Sequence, residues 1–171
     1  SAASDVYKRQ TWIVAVRTND GRRIVFGRDD VAGTVGQATQ ASAAIPASYT
    51  PVRIGDRSYV DGALHSSTNA DLVATLGFDL VIISSVKTAT PDARSWRSDP
   101  ERAWFSNKLD NELAEIRSTG TPAIVIEPDD TQLELLASGE RADACLAGRL
   151  AAERVLATSE GAGLRSIVEP A

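Results

Sequence analysis

The sequence predicts an α/β fold in which a parallel or mixed sheet lies between helical layers. Apolar strand-like segments alternate with helical ones along the chain, which is the pattern of that class. The segment Phe78 to Val86 is almost continuously apolar and rich in β-branched residues, as expected of a parallel strand covered on both faces. A length of 171 residues with 43% hydrophobic content suits one domain with a real core.

Two hairpins with a helix between them are predicted in the first part of the chain. The turns contain Asp20-Gly21 and Gly55-Asp56, dipeptides that favour tight connections between strands. The helix consists of small residues that can approach a sheet closely, and Pro46 prevents its continuation. In chain order the predicted elements are strands Thr11 to Thr18 and Arg22 to Gly27, a helix from Val31 to about Ala44, and strands Pro51 to Ile54 and Arg57 to Val60.

The second part of the chain is predicted to alternate helices with buried strands. Its long helix has one apolar stripe, formed by Phe105, Leu109, Leu113 and Ile116. In the last helix, Cys145 is expected to be buried with Ala152, Val155 and Leu156. The elements are a helix capped by Ser67, Thr68 or Asn69 and ending near Leu76, strand Phe78 to Val86, a loop from Thr88 to Pro100, helix Glu101 to Ser118, strand Ala123 to Ile126, and helices Thr131 to Ala137 and Asp143 to Ala157.

Charge and composition exclude several classes of function. The net charge of −5, without a basic run or a patch of basic and aromatic residues, argues against a nucleic-acid partner. No apolar segment is long enough to span a bilayer, so any membrane contact would be peripheral. The single cysteine excludes an internal disulfide framework. With one histidine and no Cys/His cluster, we expect no metal site, and no cofactor is implied.

The candidate site is the corner formed by Asp61 and Gly62. Asp61 lies at the end of the second strand of the second predicted hairpin, and Gly62 is the next residue. A carboxylate at such an end is where α/β folds often place chemistry, and we expect Gly62 to permit the turn of the backbone. The other interpretation is structural, because an aspartate at a strand end often simply caps the turn that follows.

The segment around this corner resembles the patatin-like phospholipase family. The matching features are a helix ending in Ala-Ser-Ala-Ala-Ile-Pro, a strand beginning Pro51-Val52, a Gly-Asp-Arg turn, and Tyr-Val-Asp-Gly-Ala. Asp61 matches the aspartate of the family's Asp-Gly-Gly or Asp-Gly-Ala box. Ala63 stands where the family commonly has a second glycine, which is a mild departure.

The resemblance implies a three-layer α/β/α patatin-like domain, N-terminally truncated in this chain. We assign residues 11–159 to the C-terminal part of that domain and residues 160–171 to a tail. Residues 1–10 are predicted to be a non-native leader, because SAASDVYKRQ resembles a translated sequencing adaptor and differs abruptly from the apolar segment after it.

The resemblance also implies a serine acyl hydrolase of lipid metabolism. In the family, the serine of a Gly-x-Ser-x-Gly motif attacks an acyl ester, and an aspartate, here Asp61, accepts its proton as general base. Gly62 matches the glycine that follows this aspartate in the family's box. The sequence contains no Gly-x-Ser-x-Gly, so the nucleophile is expected upstream, and the chain as given is expected to be inactive. The substrate would be a phospholipid, lysophospholipid or related ester, and the location cytoplasmic or peripheral to a membrane.

Two alternatives stay open at this stage. His65, the only histidine, could complete a triad, but the family needs none and a lone histidine is more often structural. The chain could instead come from a catalytically lost member of the family that acts in binding or regulation. A Gly-x-Ser-x-Gly motif upstream would indicate the hydrolase, and its absence would indicate the non-catalytic member.

Overall fold

The computed structural model describes residues 10–88 and 100–158. The chain divides into two compact units, one ending at Asn69 and the other beginning at Ala70. We call them unit 1 and unit 2 and describe each by itself. Both combine helices and strands, which confirms the α/β character predicted from the sequence.

Unit 1 is a four-stranded antiparallel sheet with one helix packed on it. Its elements are β1 (Ile13–Arg17), β2 (Arg23–Phe26), α1 (Val35–Ser42), β3 (Val52–Ile54) and β4 (Arg57–Asp61). The strand order is β2-β1-β4-β3, so the two predicted hairpins are both present and are joined through the β1–β4 pair. In that pair Ala15 lies opposite Asp61, and in the β3–β4 hairpin Val52 lies opposite Tyr59.

The core of unit 1 lies between α1 and one face of this sheet. The rings of Phe26 and Tyr59 meet edge to face with their centroids 5.4 Å apart, a favourable arrangement for two aromatic side chains. Only Ala38 and Ala41 of α1 are buried, so small side chains allow the helix to lie close to the strands, as predicted. The buried residues of this cluster are Ala15, Ile24, Phe26, Ala38, Ala41, Ile54 and Tyr59.

Helix α1 begins later than the sequence pattern indicated. Its N-cap is Thr34, whose hydroxyl accepts a hydrogen bond from the Gln37 amide while the Gln37 side chain accepts one from the Thr34 amide. This capping box satisfies two amides that would otherwise lack partners. Residues 31–34 therefore precede the helix and do not form its first turn.

Unit 2 contains a two-stranded parallel sheet and three helices. Its elements are a 3₁₀ turn (Ala70–Val73), β5 (Val81–Ser84), α2 (Pro100–Ser118), β6 (Ala123–Ile126), α3 (Asp130–Ala137) and α4 (Arg141–Leu156). Strands β5 and β6 pair in parallel, as predicted. The apolar stripe of α2 is buried as predicted, and Leu109, Leu113 and Ile116 pack in one cluster with Val81, Ile83 and Ala123.

The structure corrects several expectations for unit 2. The helix predicted from Ser67 to Leu76 is only the 3₁₀ turn Ala70–Val73. Strand β5 alternates buried and exposed residues, and Ile82 is 59% exposed, so the strand is not covered on both faces. Cys145 is exposed, because α4 turns Ala147 and Ala151 inward instead. Most of the predicted loop from Thr88 to Pro100, and the 160–171 tail, lie outside the described residues.

The described strands form two sheets, one antiparallel and one parallel. The three-layer α/β/α arrangement and the truncation stay predictions. No helix within residues 10–88 or 100–158 combines the length and the apolar character needed to cross a bilayer.

Candidate active site

Asp61 is the last residue of β4, and backbone contacts hold it from two sides. It lies opposite Ala15 of β1, and its amide donates to the carbonyl oxygen of Ala44 at 3.0 Å. Side chains alternate between the faces of a strand, so Asp61 points to the same face as Tyr59, two residues earlier. Tyr59 belongs to the cluster packed under α1. The carboxylate therefore lies on the α1 face of the sheet, beside the end of that helix.

Within residues 10–88 and 100–158, one oxygen of the Asp61 carboxylate accepts a hydrogen bond and the other accepts none. Its Oδ1 accepts a hydrogen bond from the Ala63 amide at 2.8 Å, at the start of the 3₁₀ turn Gly62–Leu64. Among the described residues no group donates to Oδ2, and no serine hydroxyl bonds to either oxygen. The side chain is half-buried. One oxygen thus fixes the orientation of the carboxylate, and the other is available to a group that reaches this face.

Gly62 has a different role from the one predicted. Its φ angle is not in the left-handed region, so the turn does not require glycine for conformational reasons. A Cβ at this position would instead lie 2.4 Å from the carbonyl oxygen of Val14 and 2.8 Å from its carbonyl carbon. Gly62 is needed because the backbone of β1 passes directly against it. The expectation that glycine is needed here for its backbone conformation was therefore wrong.

The loop after the corner is tied by a hydrogen-bond network that the sequence analysis did not identify. The buried Ser66 hydroxyl accepts from the amides of Thr68 and Asn69, at 3.2 and 3.1 Å. Asn69 takes a left-handed backbone conformation, with φ of 50°, and its side-chain Nδ2 donates to the Ser66 carbonyl oxygen. Arg23 of β2 donates to the Asn69 side-chain oxygen at 3.3 Å. The only signal in the sequence was an asparagine three residues after Ser66.

Among the described residues, neither His65 nor the serines of this region form a triad with Asp61. The His65 amide donates to the Gly62 carbonyl within the turn, and its half-buried side chain does not bond to the Asp61 carboxylate. Ser42 is the last residue of α1. The Ser67 hydroxyl is buried and has no partner among the described residues. Within residues 10–88 and 100–158 no cluster of three histidine, cysteine, aspartate or glutamate side chains could hold a metal ion.

An open groove of about 620 Å³ adjoins the corner. One of its walls contains Ala44, whose carbonyl binds the Asp61 amide, and another contains Val52 of the edge strand β3. The full lining is Gln40, Ala43, Ala44, Ile45, Tyr49, Thr50 and Val52. The sequence analysis did not predict this groove, because the residues between α1 and β3 carry no periodic pattern.

Comparison with known families agrees with the recognition made from the sequence. Residues 5–74 match the family described as patatin-like phospholipase. The match includes all four strands of the antiparallel sheet, α1 and the Asp61 corner. It begins inside the segment predicted to be a leader, and the boundary at Thr11 stays a prediction. The match supports the recognition of patatin-like phospholipase sequence in the part of the chain that contains the sheet of unit 1 and the aspartate corner.

Proposed function

We propose that this chain is part of a lipid acyl hydrolase in which Asp61 is the general base of a Ser-Asp dyad. The nucleophilic serine would come from polypeptide outside the printed sequence, since the printed sequence has no Gly-x-Ser-x-Gly motif. The substrate would be a phospholipid, a lysophospholipid or a related acyl ester, reached in solution or through peripheral contact with a membrane. The family match to residues 5–74 supports this class of reaction.

The observation that carries the proposal is the asymmetric environment of the Asp61 carboxylate. Oδ1 is fixed by the Ala63 amide at 2.8 Å, and Oδ2 has no donor among the described residues. A general base must be held in a defined orientation and must keep a lone pair for the proton that it accepts. Oδ1 also caps the 3₁₀ turn Gly62–Leu64, as the structural interpretation expects, and Oδ2 keeps the lone pairs that a general base needs.

The chemistry follows from this geometry. The serine hydroxyl would donate to Asp61 Oδ2 and attack the ester carbonyl, so that its proton passes to the carboxylate as the C–O bond forms. A carboxylate is a weak base for an alcohol, so much of the acceleration must come from positioning and from amides that stabilise the acyl oxygen. Collapse of the tetrahedral intermediate would return the proton to the leaving alcohol and leave an acyl-serine. Water, giving its proton to Asp61, would then attack the acyl-serine and release the carboxylic acid and the free serine.

We also propose that residues 11–159 are the C-terminal part of a three-layer α/β/α domain. The mixture of helices and strands in both units is compatible with that arrangement. The parallel β5–β6 pair, with Ile82 exposed on one face, has apolar surface that a further layer could cover. An experimental structure of a longer polypeptide from the same gene would test this directly.

The test of the dyad uses an active polypeptide extended upstream on the same gene. Asp61→Asn keeps an oxygen for the Ala63 amide but removes the base, so ester turnover should fall about 10²- to 10⁴-fold while the fold is retained. Asp56→Asn is the matched control, because Asp56 carries the same charge in an exposed turn with its side chain 84% exposed. Equal activity of both variants would refute the role of Asp61.

The 171-residue chain by itself should show no ester turnover. Turnover by this chain that Asp61→Asn abolishes would show that no upstream serine is required. If the upstream reading frame contains no serine motif, Asp61 has no nucleophile to activate, and a binding or regulatory module becomes the better assignment.

A further inference from the structure

We propose that Asn69 is a positioning residue for Asp61. With Ser66 and Arg23 it forms a set of hydrogen bonds, which we call the clasp, that ties the turn after the carboxylate to strand β2. This inference rests on the proposed function for the role of Asp61. It adds residues that act on the reaction through the carboxylate and do not contact the substrate. The clasp lies within unit 1, as does Asp61.

The orientation of the carboxylate depends on the 3₁₀ turn that follows it. Asp61 Oδ1 accepts its hydrogen bond from the Ala63 amide, which is part of this turn. The Gly62 carbonyl accepts from the amides of His65 and Ser66, at 3.0 and 3.4 Å. A catalytic side chain is held accurately only if the groups that orient it are themselves held. Oδ1 therefore follows any movement of the turn.

The clasp begins at the residue where these backbone bonds end. The Ser66 hydroxyl accepts from the Asn69 amide at 3.1 Å, and the Ser66 carbonyl accepts from Asn69 Nδ2 at 2.5 Å. At the other end of the same side chain, Asn69 Oδ1 accepts from Arg23 at 3.3 Å. Ser66 is 1% exposed and Asn69 is 9% exposed, so these polar groups depend on each other for partners.

Arg23 connects the clasp to the strands that carry Asp61. It lies opposite Val16 of β1, and Val16 lies opposite Val60, the residue before Asp61. The hydrogen bonds thus form a closed ring that runs from β4 through β1 and β2 and returns to β4 through the clasp and the turn. A segment fixed at both ends in this way has less freedom than a turn attached to one strand only.

The clasp holds the chain from the face of the sheet opposite to the carboxylate. Ile24 and Phe26 of β2 belong to the cluster under α1, so alternation places Arg23 on the other face. Asp61 lies on the α1 face. A nucleophile that reaches Oδ2 can therefore approach without meeting the clasp. The arrangement fits residues that position the base and take no part in binding the ester.

Asparagine meets two requirements at position 69. Its φ of 50° is uncommon for a residue other than glycine, and asparagine adopts it more readily than most. Its side chain also supplies the donor for the Ser66 carbonyl and the acceptor for Arg23. Glycine would meet only the first requirement. Asn69→Gly therefore removes the clasp and keeps the backbone conformation, which makes it the informative variant.

The first test needs no turnover and follows amide hydrogen exchange by NMR in the 171-residue chain. Asn69→Gly should accelerate exchange of the Ala63 amide about tenfold or more, because the turn opens more often. The Val25 amide is the control, since it too is bonded to an aspartate side chain, Asp29 Oδ2, at 2.9 Å. Equal acceleration at both amides would show a general loosening of unit 1 and would overturn the positioning role.

The second test uses the active polypeptide extended upstream. Asn69→Gly should lower kcat about 10- to 100-fold and change KM less than about twofold, because a displaced base slows the reaction and leaves substrate binding intact. Asn19→Gly is the matched control, because it makes the same substitution in the exposed turn of the first hairpin and should leave both constants unchanged. An unchanged kcat in Asn69→Gly would overturn the inference.

A double-mutant cycle shows whether Asn69 acts through Asp61. In an Asp61→Asn background the base is already absent, so the addition of Asn69→Gly should change kcat less than about twofold. A residue that only supports the fold would lower kcat by the same factor in both backgrounds. That result would overturn the positioning role.

The outcomes separate this inference from the proposed function. If Asp61→Asn lowers turnover and Asn69→Gly does not, only the positioning role fails. If Asp61→Asn has no effect on turnover, the dyad fails. Faster exchange confined to the Ala63 amide would then still show that the clasp holds the turn.

Discussion

Gly62→Ala should destabilise unit 1 through a collision and not through backbone strain. The added Cβ would lie 2.4 Å from the Val14 carbonyl oxygen, about an ångström closer than normal packing tolerates. Because the atom that it meets belongs to the backbone of β1, no side-chain rotation can relieve the contact. Insertion of a methyl group into a packed site costs about 1–3 kcal/mol, and we expect about 3 kcal/mol here.

Gly55→Ala is the matched control, since it adds the same methyl group for a different reason. Gly55 has a φ of 61°, but no atom lies within 4 Å of a Cβ placed there. The left-handed conformation costs alanine about 1–2 kcal/mol, partly offset by the lower entropy of its unfolded chain, for a net cost of about 1 kcal/mol. The two variants should therefore differ by about 2 kcal/mol, or about thirtyfold in the unfolding constant.

The assay is urea unfolding followed through the β1 amide signals in NMR spectra, which report on unit 1 itself. Asparagine tolerates positive φ, so Gly55→Asn should be milder than Gly62→Asn. Val14→Ala should not rescue Gly62→Ala, because the closest contact is with the Val14 carbonyl oxygen. Equal costs at Gly62 and Gly55, or a rescue by Val14→Ala, would refute the close-approach argument.

Three further predictions concern other parts of the chain. Hydrogen bonds from Arg17 lower the pKa of Asp20 from 3.8 to about 2. These bonds therefore stabilise the folded state fully above about pH 4, and this stabilisation is lost as the pH falls toward 2. Asp20→Asn should remove this part of the pH dependence of the free energy of unfolding. At Ala47, with φ of 67°, glycine should raise the free energy of unfolding by up to about 1 kcal/mol and valine should lower it by more than that, as measured by urea titration. The buried Glu112 accepts a hydrogen bond from the Ala70 amide at 3.0 Å, so Glu112→Ala should cost unit 2 about 1–3 kcal/mol and Glu112→Gln less, as hydrogen exchange of β6 would show.

The features that the sequence predicted well depend on local rules. Both hairpins in unit 1 follow from the Asp20-Gly21 and Gly55-Asp56 turns between β-rich segments. The stripe of α2 follows from helical periodicity, and the β6 strand begins and ends where its apolar run does. In each case the residues that determine the element lie within it.

The errors arose where distant residues decide the outcome. The segment before Leu76 forms only a 3₁₀ turn, whose first amide, that of Ala70, is bonded by Glu112 from 42 residues away. Cys145 is exposed because the narrow side of α4 that faces inward is formed by alanines. The position of the groove beside Asp61 depends on the β3–β4 register and on the path of the chain after α1. None of these features has a local sequence signal.

The geometry of the aspartate corner depends on backbone contacts with residues that are distant in the sequence. Three backbone contacts define it: the Ala44 carbonyl to the Asp61 amide, the Ala63 amide to Oδ1, and the Val14 carbonyl against Gly62. Only the last of these requires glycine. Alanine at position 63 provides the same amide as glycine would, and its φ is not in the left-handed region. The departure from a second glycine therefore leaves the orientation of the carboxylate intact. For the same reason Ala63→Gly should leave the orientation of the Asp61 carboxylate almost unchanged, whereas replacement of Gly62 by any larger residue should displace Asp61.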